Sequence, residues 1–285
     1  MFDQHSRYVG LEYLTFVGMP PVEFIEVAAS AGFDGVGLRV SPADEQDHPF
    51  DLRVGGAGLR EARRALAQTG LKVLDVEVLS LDSTTRREDY MWILEAAAEL
   101  GARYLNVTGN DADLSRFTEM LSRLTADAKP FDLVPAVEPM AWKALNSLAS
   151  AVSCVGAAGG AVLQVDALHL NRLGADPSDL AGLDPNLLSY LQLCDAPAAP
   201  LDNDPLALQA EGRHDRLLPG HGALPLNRLL EVMPTDSPVG VEVPSAASRG
   251  VVTPVDYARK AHQATMSLLQ HELVRDPDQT RRHTS

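Results

Sequence analysis

Apolar positions along this chain switch between a period of two and a period near 3.6, and the switch recurs from one end to the other. The run Val9–Phe16 reads as a first strand, and Pro20-Pro21 opens a helix over Pro21–Ala31 that Gly32 stops. Gly35–Val40 follows as a second strand, then a helix over Gly58–Thr69 with Leu59, Ala62 and Leu66 on one side. Lys72–Ser80 has the Val-rich alternation of a third strand, Thr84–Leu100 is amphipathic helix, and Tyr104–Thr108 is a fourth strand. The second half predicts helix Leu114–Ala128, strand Leu133–Glu138, helix Ala144–Ala157 and strand Ala161–Asp166. A short helix near Ser178–Ala181, strand Leu188–Cys194, helix Leu226–Val232, strand Val239–Val243 and a last helix, Pro254–Leu273, complete it.

Strict alternation implies parallel strands joined by right-handed crossovers, and eight such units close into a ring more readily than they spread into an open sheet. The expected fold is α/β, a single (β/α)8 TIM barrel over residues 1–275, followed by a polar tail at 276–285 expected to be disordered. An open, doubly wound sheet would need a GxGxxG after its first strand, and none is there. Ala196–Gln209 reads as a long connection after the seventh strand.

Composition narrows the chemistry little. Hydrophobic residues make up 45% of the chain, enough for a sizeable core, and the formal charge of -15 argues against nucleic acid, whose binding needs clustered Lys and Arg. Cys154 and Cys194 lack metal or disulfide spacing and read as buried thiols. The first ten residues have no apolar run behind a basic region, and no 18-residue apolar stretch occurs, so the expectation is a cytoplasmic protein with no membrane segment. A homo-oligomer is left open.

In such a barrel the chemistry gathers at the carboxyl ends of the strands. Strands five to eight end on Glu138, Asp166, Gln192 and Glu242, each a polar group on an otherwise apolar run (LVPAVE, AVLQVD, LSYLQL, VGVEV). Taken singly, each carboxylate could pair with an Arg or cap a helix. Converging together, three carboxylates and an amide would repel unless a cation lay among them, and oxygen donors favour one divalent ion, Mn2+ or Mg2+, over zinc. Glu12, Asp75 and Glu77 sit on strands one and three, the last two on one face, where they can bind substrate hydroxyls or support the site from behind.

The segments VEP (137–139), DALH (166–169), QLCDAP (192–197), RLLPGHG (216–222) and VEVPS (241–245), with AGFDGV at 31–36, resemble the xylose isomerase-like barrel family, also described as sugar phosphate isomerases/epimerases. That resemblance implies a metal held by Glu138, Asp166, position 192 and Glu242, with Gln192 standing where His is commoner. The glutamine and its surroundings look more like bacterial 3-dehydroshikimate dehydratases of the same superfamily. The resemblance also implies a substrate-binding or acid/base role for His169 and a substrate-oxygen contact for Arg216, with Arg213 and His214 weaker candidates.

The expected function is a metal-dependent isomerase or epimerase of a small keto-polyol or sugar. Glu138 or Glu242 takes the proton alpha to a carbonyl, through a metal-stabilised enediolate, and the other carboxylate or His169 returns one. Loss of a β-hydroxyl from the same intermediate would make the protein a dehydratase of the 3-dehydroshikimate or inosose type. A barrel without activity, serving as a binding subunit, is the reading from another class.

Overall fold

The computed structural model describes residues 7–43, 50–188, 190–200 and 202–275, with side chains as far as residue 270. The expected tail at 276–285 lies outside the described residues. Eight strands run β1 (Val9–Leu11), β2 (Gly35–Arg39), β3 (Lys72–Leu81), β4 (Tyr104–Gly109), β5 (Val134–Glu138), β6 (Val162–Asp166), β7 (Tyr190–Leu193) and β8 (Val239–Val241). Each is parallel to the next, and β8 pairs back onto β1 through Val9–Val239, Gly10–Gly240 and Leu11–Val241, which closes the barrel.

Around it lie α1 (Pro21–Ala31), α2 (Ala57–Thr69), α3 (Arg87–Leu100), α4 (Leu114–Ala128), α5 (Leu148–Ala158), α6 (Ala167–Arg172), α7 (Pro205–His214), α8 (Leu226–Val232) and α9 (Pro254–Arg275). Local chemistry sets their ends. The Asp113 carboxylate accepts from the N–H groups of Ser115 and Arg116 to start α4, and Gly32, at φ 96°, closes α1 with its N–H on Ala28 and Ala29 carbonyls. In α4 the buried residues Phe117, Leu121, Leu124 and Ala128 fall on one face, and that stripe packs the helix against the strands. No helix among the described residues is long and apolar enough to cross a membrane.

Several expected elements have different bounds. The first strand stops at Leu11 rather than Phe16, because the Tyr13 N–H turns inward to the Glu77 carboxylate (3.2 Å) and Tyr13–Phe16 coil into a 3-10 turn. The helix expected from Ala144 starts at Leu148, where the Ser147 hydroxyl accepts from Ser150 N–H. The helix expected from Thr84 starts at Arg87, and the short helix expected near Ser178 is a 3-10 turn, Pro177–Asp179. The Ala196–Gln209 connection contains the start of α7, nucleated by Asp204 capping Leu206 and Ala207 ahead of Pro205.

Inside the ring, Leu74, Tyr104, Ala136, Val162 and Tyr190 form an apolar floor, with the Tyr104 and Tyr190 rings stacked at 5.1 Å. Glycines let the strands close around it. A Cβ on Gly35 would stand 2.5 Å from the Lys72 carbonyl oxygen, a backbone atom that cannot swing aside. Gly35→Ala is therefore expected to cost ~1–3 kcal/mol, read as a lower urea midpoint; an unchanged midpoint would contradict this packing.

Candidate active site

Asp166 ends β6 and at once starts α6: its Oδ1 accepts from the His169 N–H at 2.9 Å. That capping bond winds one helical turn and brings the His169 side chain back over the strand end. Glu138 ends β5, held by Asn106 of β4, whose Nδ2 donates to Oε2 at 3.1 Å. Arg216 follows α7 and is fixed at both ends. Its Nε donates to the Gly212 carbonyl (2.7 Å), Nη1 reaches Asp166 Oδ2 and Nη2 reaches Glu242 Oε2, each at 2.6 Å. His169 Nε2 lies 3.7 Å from Glu138 Oε1 and 3.4 Å from Arg216 Nη2, and its ring meets the Trp142 ring edge-on at 4.9 Å.

Burial governs the electrostatics, since Glu242, the most exposed of these groups, shows only 5% of its surface. Burial, reinforced by Asp166 and Glu242, pushes the Glu138 carboxyl well above its usual range. Glu242 is pushed up to about 8 by burial, with Arg216 opposing and Glu77 and Asp166 adding. For Asp166 burial is overcome by the Arg216 guanidinium and His169, so its carboxyl lies below the ordinary value. Burial, with Arg216 and Arg172, takes His169 down to about 4 against the pull of Asp166, which leaves the imidazole neutral at neutral pH.

One guanidinium among three carboxylates leaves this pocket short of positive charge. Among the described residues, Glu138 Oε1, His169 Nδ1 and Gln192 Oε1 are buried without a hydrogen-bond partner. Glu138, Asp166 and His169 each offer a ligand atom, all within 4.8 Å of one another. Orphaned donors and unbalanced carboxylates of this kind fit a divalent cation.

Not every residue expected here joins that group. Glu242, engaged by Arg216, is not among its three members, whereas Gln192 turns its Nε2 inward to 3.5 Å from the Tyr190 hydroxyl and leaves its Oε1 without a partner. Glu12 and Glu77 lie with Asp75 in a second carboxylate group beneath the mouth; Glu77 is bound by Arg39 at 2.6 Å and Glu12 by Tyr190 at 2.8 Å. Asn106, Arg39 and Tyr190 went unnoticed in the sequence. Asn106 and Arg39 are polar residues on apolar strands, the same signal that marked Glu138, whereas Trp142 carries no such signal.

Glu242 keeps its proton in the folded chain up to about pH 8, against 4.5 for an ordinary glutamate, so between those values the folded chain binds more protons than the unfolded one. Stability of the metal-free protein is therefore expected to fall as pH rises across that window. Urea midpoints measured along it should decline; a flat or rising series would contradict the burial of these carboxyls.

A sequence model of the xylose isomerase-like TIM barrel family matches residues 25–268. A 3-dehydroshikimate dehydratase from Pseudomonas aeruginosa is 28% identical over 219 residues, 72% of this chain. The chain spans about a third of that relative's length, the aligned share being 32%. A xylose isomerase-like TIM barrel/4-hydroxyphenylpyruvate dioxygenase fusion protein superposes with a TM-score of 0.78 at 19% identity, over 96% of this chain and 45% of its own. The IOLI protein, whose crystal structure contains a bound zinc atom, gives 0.75 at 16% identity, over 93% of this chain and 99% of its own. With its closed eight-stranded barrel and a family match over most of its length, this chain belongs to the xylose isomerase-like TIM barrel family.

Proposed function

We propose that this protein is a divalent-metal-dependent dehydratase of a small polyhydroxy ketone, acting by removal of the proton alpha to the carbonyl and loss of the β-hydroxyl as water. The observation that carries the reading is the approach of His169 Nε2 to Glu138 Oε1, 3.7 Å apart, with Glu138 Oε1 and His169 Nδ1 left without hydrogen-bond partners, while Arg216 clamps Glu242. Epimerisation needs acid and base on opposite sides of one carbon. Elimination needs only one group that takes a proton and hands it to a neighbouring oxygen.

In this reading Glu138, Asp166, Gln192 and Glu242 would hold the cation, and their oxygen donors favour Mn2+ or Mg2+. The ion would supply polarisation of the ketone, making the adjacent C–H acidic. The neutral His169 imidazole takes that proton as the carbon–carbon double bond forms, and returns it to the departing hydroxyl when the C–O bond breaks. Glu138 Oε1 faces the imidazole at 3.7 Å, and Arg216 orients a substrate oxygen. Trp142 packs edge-on against the His169 ring and limits its movement. The relative named as a 3-dehydroshikimate dehydratase supports the same branch, and makes that ketone the first substrate to try.

The isomerase or epimerase reading stands second, and Glu242 favours it. It is a second carboxyl at the mouth besides Glu138, as an exchange that uses two proton-transfer groups requires. Solved neighbours named as sugar epimerases share the barrel at 15–18% identity, a likeness of fold.

Mn2+-loaded protein with 3-dehydroshikimate, an inosose or a keto-sugar in D2O separates the readings. Growth of a conjugated absorbance is expected, and His169→Asn should lower kcat ~10²–10⁴-fold. Deuterium uptake into recovered ketone without dehydration would replace this reading with the second. Neither signal from metal-bound protein would leave a binding subunit.

A further inference from the structure

The second carboxylate group, Glu12, Asp75 and Glu77, has oxygens close enough together to pass for a metal site, but its hydrogen bonds say otherwise. Glu77 is satisfied by Arg39, from Nε at 3.1 Å and Nη2 at 2.6 Å, and by the Tyr13 N–H. Glu12 and Asp75 are fully buried, and the Tyr190 hydroxyl stands 2.8 Å from Glu12 Oε1 and 3.0 Å from Asp75 Oδ2. A phenol has one hydrogen to give. It satisfies one carboxylate, and the other oxygen can lie that close without repulsion only by bringing a hydrogen of its own.

The remaining oxygens point to the same conclusion. Glu12 Oε2 and Asp75 Oδ1 have no donor among the described residues, yet both converge on the space left by the absent side chain of Gly37, where even a methyl group would strike them. Two bare carboxylates brought that close, both fully buried, would repel strongly, and a proton held by one of them removes that repulsion.

We infer that Glu12 and Asp75 share a single proton at neutral pH and that Tyr190, held by this pair, is a positioning residue that keeps the Gln192 amide nitrogen turned inward and its carbonyl oxygen free. The part concerning Gln192 rests on the proposed function, in which that oxygen is a metal ligand. The Gln192 Nε2 lies 3.5 Å from the Tyr190 hydroxyl and its Oε1 has no partner, the orientation that a phenol oxygen accepting from the amide would impose.

The charged and titratable groups facing the pair are Glu77 from β3, Arg39 from β2, Tyr190 from β7, Glu242 beyond β8 and Tyr8 ahead of β1. Burial, then Asp75 and Glu77, pushes the Glu12 carboxyl well above its usual range, while Asp75 reaches about 7, raised by burial and then by Glu77. Of the two, the Glu12 carboxyl is raised further, so the shared proton rests mainly on it.

Infrared spectra of the metal-free protein at pH 7 test the proton directly. A protonated-carboxyl C=O band is expected that disappears in Glu12→Gln, a variant that should fold because its amide replaces a neutral group of the same shape. A spectrum in which Glu12→Gln and Asp75→Asn both leave the carboxyl region unchanged would overturn the shared proton. NMR of the Gln192 side-chain amide tests the positioning: its protons should be protected from exchange in the parent and lose that protection in Tyr190→Phe. Mn2+ affinity should fall ~10-fold or more in Tyr190→Phe, as for other groups that orient a ligand. Unchanged protection together with unchanged affinity would overturn the role of Tyr190. A parent protein that bound no Mn2+ would sink the proposed function instead, and the infrared and NMR results would still decide the proton and the orientation.

Discussion

Everything at the mouth of this barrel depends on carboxylates being buried with too few cations. Closing the sheet delivers Glu138, Asp166 and Glu242 to one rim, where Arg216 is the guanidinium that reaches two of them. An uncompensated ion in such surroundings costs several kcal/mol, so every nearby feature is a way of offsetting it. Asn106 donates to Glu138, the His169 backbone donates to Asp166, and the Glu138 and Glu242 carboxyls are driven toward their protonated forms. A pocket in that condition is prepared for an added positive charge, and that readiness connects the geometry to metal chemistry.

The same constraint works one layer down with another solution. There Arg39 neutralises Glu77, and the proposed proton between Glu12 and Asp75 removes the remaining repulsion. The two layers meet through Tyr190 and Gln192, whose side chains lie two positions apart on β7 and so face the same interior. Packing protects both layers. The apolar floor seals them from below, and Trp142, lying where a Cβ on Gly212 would be 2.8 Å from its ring, ties the loop after β5 to the end of α7 above His169.

Much of this was legible in the sequence because its signals are local. Period-two runs separated by capped, amphipathic helices predict the alternating barrel, and polar residues ending apolar strands mark Glu138, Asp166 and Glu242. What was not legible depends on partners distant in sequence. The early end of β1 follows from Tyr13 reaching Glu77, 64 positions away, and the inward turn of Gln192 follows from Tyr190, whose hydroxyl meets Glu12 just after β1 and Asp75 on β3. Ala196–Gln209 read as plain connection because its Pro and Asp residues look like loop, although Asp204-Pro205 is also a helix start. Spacing places His169 near the site, three residues past Asp166 where a helical start swings it inward, and its role comes from the resemblance; the capping bond at Asp166 is that helical start and leaves the ring 3.7 Å from Glu138.

Anomalous scattering from crystals soaked in Mn2+ tests the central claim most directly. The expected result is a single strong peak at the barrel mouth, within coordination distance of Glu138 and Asp166 oxygens. No peak there, or a peak among Glu12, Asp75 and Glu77 instead, would show that the buried charge at the mouth is balanced in some other way.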